Sequence, residues 1–141
     1  MGVFVDVQNM FYAAKDRYDS RLDYIKLLDL TVGPRHLVVA YAYIVQIPEI
    51  DQSSFLSLLE HNGYRIKTKD LRLRGDGSAK GDWDVGITID VMEFAKESDI
   101  IVLASGDGDF DLLIKTVRVK FNTDSEIYGV PGLTASSLIA E

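Results

Sequence analysis

Apolar runs and helix-like stretches alternate along this chain, with turn residues between them. Residues 37–45 and residues 100–104 are continuously apolar and rich in β-branched residues, which predicts strands buried on both faces. Residues 3–5 form a shorter run of the same kind, and residues 125–128 predict a last short strand. The apolar pattern therefore predicts a sheet that is covered on both sides.

The segments between these strands have apolar residues at helical spacing, and the alternation predicts a single α/β domain, residues 1–141, with a mostly parallel sheet. Asn62 and Gly63 are suited to end one of the helices. The helix at 82–97 is apolar nearly all round, so we expect it to be largely buried. The chain ends at Glu141 inside a predicted helix, which we expect to be cut short. The predicted helices are residues 9–17, 24–28, 55–59, 82–97, 110–119 and 134–140.

One further predicted strand has a basic face. Residues 64–69 alternate between apolar or small residues and cations, so the two faces of this strand differ in charge. The alternation slips at residues 69–70, which predicts a bulge or a break, and the glycines of residues 75–81 predict a flexible loop. Residues 65–80 carry six lysines and arginines against two aspartates, a net charge of +4. Residues 82–111 carry nine acidic residues against one lysine, a net charge of −8, so a basic segment runs directly into an acidic one.

Composition narrows the classes of protein to be considered. The chain has 141 residues, a net charge of −7 and no cysteine, which excludes disulfide frameworks, thiolate zinc sites and cysteine nucleophiles. The net charge by itself argues against non-specific binding to a polyanion. No apolar run approaches the ~18–20 residues that span a bilayer, and no secretory signal is visible. We therefore expect a cytoplasmic protein without a membrane partner.

Acidic and amide side chains lie where the predicted parallel strands end. Asp6 follows the first strand, and Asn9 begins the helix after it. Asp107 and Asp109 follow a later buried strand, and Asp84 begins the helix that leads into that strand. Because the helix after each parallel strand starts at the carboxyl end of the sheet, we expect all five residues on one rim. This rim is the crevice in which open α/β sheets bind ligands.

Each of these residues also has a structural explanation. An Asp or Asn at a helix N-terminus is a favoured cap, which accounts for Asn9 or Asp109 taken singly, and Asp84 alone is explained as a solvated acid in a first helical turn. Asp6 follows a buried run, where a charge is costly unless it is paired. Several carboxylates on one rim also repel each other, and a divalent cation removes that repulsion. Oxygen ligands without cysteine favour Mg²⁺ or Mn²⁺ over Zn²⁺.

Asp90 requires a separate interpretation. It lies six residues after Asp84, which on a helix is about 240° round the axis and about 9 Å along it. We therefore expect Asp90 to point away from Asp84 and away from the rim, and to be a structural residue that is hydrogen-bonded to a neighbouring element.

Four pieces of the chain, in this order and at this spacing, resemble the NYN domains, specifically the LabA-like branch of the PIN-like nuclease superfamily. They are residues 4–9 with the pattern D-x-x-N, residues 80–85, similar to the family's K-G-x-D-V, Asp90, and residues 105–110 with S-G-D-x-D-F. Val7 stands where many relatives have glycine. The resemblance implies a PIN-like three-layer α/β/α sandwich with a central, mostly parallel sheet. It also implies an acidic pocket for Mg²⁺ or Mn²⁺ and a metal-dependent ribonuclease activity.

The resemblance suggests a role for each candidate residue. Asp6, Asp84 and Asp107 would hold the cation, and Asp109 would bind it directly or through water. Asn9 would orient Asp6 or a phosphate oxygen. Metal-activated water would then hydrolyse a phosphodiester bond and leave a 5′-phosphate. Neither histidine of the chain lies in a motif, so a mechanism based on a histidine pair is not expected.

The basic segment is predicted to bind the substrate, which we expect to be single-stranded or structured RNA. Trp83 and Tyr12 are suited to stack on bases, whereas Phe11 is expected in the core. The chain is also compatible with a homo-oligomer. The residues expected to contact phosphates are Arg65, Lys67, Arg72, Arg74 and Lys80.

Two other classes of function stay open or are disfavoured. A regulatory module that binds RNA or protein would keep the acidic pocket but cleave nothing. A Mg²⁺-dependent phosphatase of the haloacid-dehalogenase type needs D-x-D after the first strand, and here Gln8 stands at the second position. A receiver domain needs an aspartate at the end of a middle strand, and the run at 37–45 ends in Val45-Gln46. A Rossmann dinucleotide site lacks its glycine motif after the first strand.

Overall fold

The computed structural model describes residues 1–10, 23–46, 51–70, 72–73, 79–80, 83–105 and 110–128. Of these, the side chains of residues 70, 72, 73, 79, 80 and 84 lie outside the description. These residues include seven strands: β1 (Gly2–Asp6), β2 (Val39–Gln46), β3 (Arg65–Asp70), β4 (Arg72–Leu73), β5 (Ala79–Lys80), β6 (Ile100–Ala104) and β7 (Asp124–Tyr128). Four complete helices are described: α1 (Tyr24–Val32), α2 (Ser53–His61), α3 (Asp84–Ala95) and α4 (Asp111–Phe121). Residues 7–10, directly after β1, are also helical.

Five strands form one sheet in the order β3-β2-β1-β6-β7, and all four pairings are parallel. The short strands β4 and β5 pair with each other in an antiparallel arrangement. The continuous apolar runs make this order possible, because the central strands are buried on both faces: all five residues of β1 are buried. The predicted strand at 100–104 is confirmed as β6, and the predicted break after residue 69 falls between β3 and β4.

Helices cover both faces of the sheet, which confirms the predicted three-layer α/β fold. On one face, Val3 and Val5 of β1 belong to a core that includes residues of α1 and α2. On the other face, Phe4 of β1 and Leu103 of β6 belong to a core that includes residues of α3 and α4. The alternation of β1 side chains between the two cores follows from the period of two along a strand.

Two local predictions were wrong. α3 was expected to be largely buried, but Val85 and Ile89 are 72% and 57% exposed. The reason is that α3 lies in an outer layer, so that one face packs on the sheet and α4 while the opposite face meets solvent. The loop predicted at 75–81 contains strand β5, because Ala79 and Lys80 pair with Leu73 and Arg72 across the chain. The last predicted helix, residues 134–140, lies outside the described residues.

None of the helices described is long and apolar enough to cross a bilayer. The C-terminus of α2 is where the sequence predicted it. Asn62 is the C-cap, and Gly63 follows with φ +102°, a conformation that residues other than glycine rarely adopt.

Candidate functional site

The strand order changes direction between β1 and β6, and this creates a crevice at the carboxyl ends of the two strands. The helical residues after β1 turn towards the core of α1 and α2, where Val7 and Met10 are buried. The chain after β6 leads to α4, which packs on the opposite face. Open α/β sheets bind ligands at such a switch point, because the two connections diverge and leave room between them.

Asp6 lies at this crevice as the last residue of β1, and it is only 6% exposed. Its Oδ1 accepts a hydrogen bond from the backbone N–H of Asn9 at 3.3 Å, and its Oδ2 accepts one from Ser105 Oγ at 3.5 Å. Asp6 therefore caps the helical turn at residues 7–10 and joins the ends of β1 and β6. Its negative charge also helps to raise the pKa of Tyr24, after the larger effects of burial and of Tyr64.

Asn9 is part of the same turn, with its backbone N–H bonded to Asp6. The sequence allowed Asn9 itself to be the cap, and this was wrong, because the helical residues begin at residue 7 and the preceding aspartate serves as the cap. Ser105 was not among the candidate residues. Its signal was its place as the first residue of the S-G-D-x-D-F pattern, directly after β6.

Asp84 is the first residue of α3, seven residues before Val91, so the two positions share a helical face. Val91 is fully buried against the sheet, and position 84 is therefore on the sheet side of α3 at its amino end. The Asp84 side chain, and all of Asp107 and Asp109, lie outside the described residues. Among the side chains that are described, no three His, Cys, Asp or Glu residues come together to hold a metal ion.

Trp83 is fixed at the start of α3 by contacts on several sides. Its indole N–H donates to the carbonyl of Ile44 at 3.0 Å, one residue beyond the last β1–β2 pair, so α3 begins at the carboxyl end of the sheet. The Tyr43 ring lies 5.4 Å from the Trp83 ring between centroids. The ring also lies against Gly86, where an added Cβ would come within 2.5 Å of Trp83 Cε3. The sequence predicted a base-stacking role for Trp83 but did not indicate these structural contacts.

Asp90 binds two residues of the sheet, in agreement with the expectation that it is hydrogen-bonded to a neighbouring element. Its Oδ2 accepts from the Tyr43 hydroxyl at 2.8 Å and from Lys67 Nζ at 2.6 Å. Burial and the Asp90 hydrogen bond raise the pKa of Tyr43 far above its ordinary value, so that the hydroxyl stays protonated and continues to donate. Tyr43 is in register with Asp6 on one side and with Lys67 on the other. Asp90 therefore fixes α3 to the same row of the sheet that ends β1.

The predicted basic residues have different surroundings. Arg65 is exposed, whereas Lys67 is bonded to Asp90 and also lies over the Tyr41 ring, 4.7 Å from its centroid. Arg72 and Lys80 are paired through the backbone of β4 and β5, which brings two of the predicted phosphate-binding positions together. The nucleic-acid candidates Tyr12 and Arg74 lie outside the described residues, as does Phe11, which was expected in the core.

A groove of about 740 Å³ lies at the opposite, amino end of the sheet. Asp6 and Ser105 do not line it, but Asp90, one of the motif residues, does. Its lining includes Met1, Arg35, His36, Phe94 and Ile100.

Comparisons with known proteins agree on one family. The NYN domain family matches residues 1–141. The chain is 32% identical to the Low amplitude and bright protein LabA of Synechococcus elongatus, over 98% of this chain and 77% of that protein. It is also similar to a crystal structure of a protein of unknown function, VPA0982, from Vibrio parahaemolyticus, with 40% identity and a TM-score of 0.91 over 99% of this chain and 86% of the other. The chain is therefore a member of the NYN domain family, within the PIN-like nuclease superfamily.

Proposed function

We propose that this chain is a metal-dependent nuclease that acts on RNA, with its catalytic pocket in the crevice between the ends of β1 and β6. The observation that carries the proposal is Asp6, a carboxylate held 6% exposed at the point where the strand order changes direction. The places of the other motif acids along the chain support the proposal. α3 begins with Asp84 at the same end of the sheet, and Asp107 follows β6.

The residues present fit a hard divalent cation. Asp6 supplies a carboxylate whose direction is fixed by the Asn9 N–H and by Ser105, and the chain contains no cysteine that would select a softer metal. Asp6, Asp84 and Asp107 would hold Mg²⁺ or Mn²⁺, with Asp109 bound directly or through water. When bound, such a cation lowers the pKa of a coordinated water and offsets charge on the leaving oxygen.

The remaining residues would position the substrate. Cations of β3, β4 and β5 would contact phosphates on either side of the scissile bond, and Asn9 would orient Asp6 or a phosphate oxygen. Hydrolysis adds water across the phosphodiester: the P–O bond to the leaving 3′ oxygen breaks, that oxygen takes a proton, and the new P–O bond leaves a 5′-phosphate.

Cleavage of generic single-stranded RNA in Mg²⁺ or Mn²⁺ tests the proposal, with Asp107→Asn as the inactive variant. Asp99→Asn is the matched control, because Asp99 is an exposed aspartate just before the opposite end of β6. We expect the wild type and Asp99→Asn to cleave and Asp107→Asn not to cleave. Equal cleavage by all three would reveal a contaminant, and RNA binding without cleavage would favour the regulatory module.

The metal itself has a separate readout. A cation that binds only the folded state should raise Tm, by about 2.7 kcal/mol of stability at 100 times its Kd. We expect Mn²⁺ and Mg²⁺ to raise the Tm of the wild type and of Asp99→Asn, and to have a smaller effect on Asp107→Asn. A wild-type Tm that does not change in millimolar metal would contradict a metal site.

A further inference from the structure

Lys69 occupies an unusual position at the carboxyl end of the edge strand β3. Its side chain is exposed, and its Nζ lies 4.9 Å from the centroid of the Trp83 ring. Trp83 directly precedes Asp84, the first residue of α3. The ammonium of Lys69 is therefore held beside the start of the helix that carries a candidate metal ligand.

The Trp83 ring under this lysine is held in place by contacts on several sides. The indole of Trp83 is bonded to the Ile44 carbonyl, packed on Tyr43 and accommodated by Gly86, which has no Cβ to displace it. A cation over a fixed aromatic face is attracted by the ring quadrupole, an effect of about 0.5–1 kcal/mol at exposed sites. The flexible stem of Lys69 is thereby restricted to one region of the surface.

Lys67 and Lys69 point from the same face of β3, two residues apart, and their charges differ in availability. The Lys67 charge is compensated by Asp90 at 2.6 Å. Within the described parts of the chain, no carboxylate lies within ion-pairing distance of Lys69. An aromatic ring attracts a cation without carrying an opposing charge, so among the described residues the contact of Lys69 is with a ring and not with a carboxylate.

We propose that Lys69, seated on Trp83, binds a backbone phosphate of single-stranded nucleic acid and directs the strand towards the crevice. This inference rests on the proposed function and adds a phosphate-binding residue to it. A phosphodiester supplies the compensating charge that the ring lacks, and the edge position of β3 leaves the ammonium accessible.

Trp83 is the only tryptophan of the chain, so tryptophan fluorescence reports directly on the contact between Lys69 and Trp83. A short oligouridylate titrated in EDTA should change the Trp83 emission without being cleaved. Each phosphate contact contributes about 0.7 to the slope of log affinity against log salt for single strands. We expect Lys69→Gln to lower that slope by about 0.7 and Lys69→Arg to retain it.

The matched control is Lys120→Gln, which removes the same charge from an exposed lysine in the last turn of α4. Equal slopes for Lys69→Gln, Lys120→Gln and wild type would overturn the inference, as would oligouridylate that fails to bind at all. A slope lowered equally by both variants would also overturn it, since net charge alone would then explain the change. Binding that depends on Lys69 without any RNA cleavage would support the role of Lys69 and contradict the nuclease activity. RNA cleavage with a slope that Lys69→Gln does not change would support the nuclease and contradict the role of Lys69.

Discussion

The two ends of the parallel sheet differ in shape and in how their charges are used. The amino end has a groove of about 740 Å³, and two residues of its lining are ion-paired: Arg35 with Glu126, and Asp90 with Lys67. The carboxyl end has the buried Asp6, the switch in strand order and the start of α3. Asp6 and the start of α3 therefore lie at the end opposite this groove, and among the described motif residues Asp90 lines it. The comparison teaches that a groove of this volume and the switch point of the strand order, where open α/β sheets bind ligands, need not coincide in this fold.

The difference between the two ends of the sheet is tested most directly by changing one residue at each end. Asp6→Asn keeps an oxygen that caps the turn at residues 7–10 and removes the carboxylate charge. Replacing a residue that only hydrogen-bonds to a metal ligand typically costs about 10–100-fold in activity. Asp6 is proposed as a ligand itself, so we expect the rate of cleavage to fall by more than about 100-fold while the fold is retained. His36→Ala, at the lining of the amino-end groove, should leave cleavage unchanged. Initial rates at saturating metal test both, and a loss of activity only in His36→Ala would reverse the assignment.

A second variant tests whether the carboxyl end depends on the Trp83 packing. Gly86→Ala in a helix would ordinarily stabilise by about 1 kcal/mol. Here the new Cβ would come within 2.5 Å of Trp83 Cε3, so the indole must move and its bond to Ile44 is strained. Overpacking usually costs about 1–3 kcal/mol, so after the gain from helix propensity we expect a net loss of up to about 2 kcal/mol. Urea denaturation followed by circular dichroism measures this effect, and a more stable variant would show that the ring shifts freely.

The smallest expected effect is on the pH dependence of stability, and it comes from the Arg35–Glu126 ion pair. The bidentate hydrogen bonds from Arg35 hold the pKa of Glu126 below its ordinary value. A glutamate with a lower pKa in the folded state adds stability above its unfolded pKa, and the contribution disappears as pH falls through the folded pKa. Between these two values, Tm of the wild type should therefore fall more steeply with acid than Tm of Glu126→Gln. Parallel Tm profiles would show that the pair contributes nothing, as many exposed pairs do.

Local patterns predicted most of the elements, because their causes are local. Five consecutive apolar residues predicted β6 with its observed ends, and Asn62-Gly63 predicted the close of α2. β5 was missed because only its pairing with β4 makes it a strand, and its own residues follow a glycine-rich stretch. The exposed face of α3 was missed because apolar composition does not reveal how many sides of a helix are covered.

The candidate site was predictable to the level of the rim and no further. Parallel topology was enough to expect Asp6 at the carboxyl end of the sheet, where it lies. The partners of each side chain depend on strand order and on helix rotation. The sequence could predict that Asp90 has a partner but not that the partners are Tyr43 and Lys67. The contact between Lys69 and Trp83 joins an edge strand to a helix start, and no periodicity indicates it.

The central place of β1 has a consequence for how the molecule is made. Gly2–Asp6 is synthesised before every other strand described here, but its two neighbours are β2, from residue 39, and β6, from residue 100. Pairing of such distant segments is slow, because the intervening chain must be closed into a loop first. The crevice between the ends of β1 and β6 therefore cannot form until β6 has been synthesised. A nascent fragment that ends before β6 would leave β1 exposed along one side and would have no crevice.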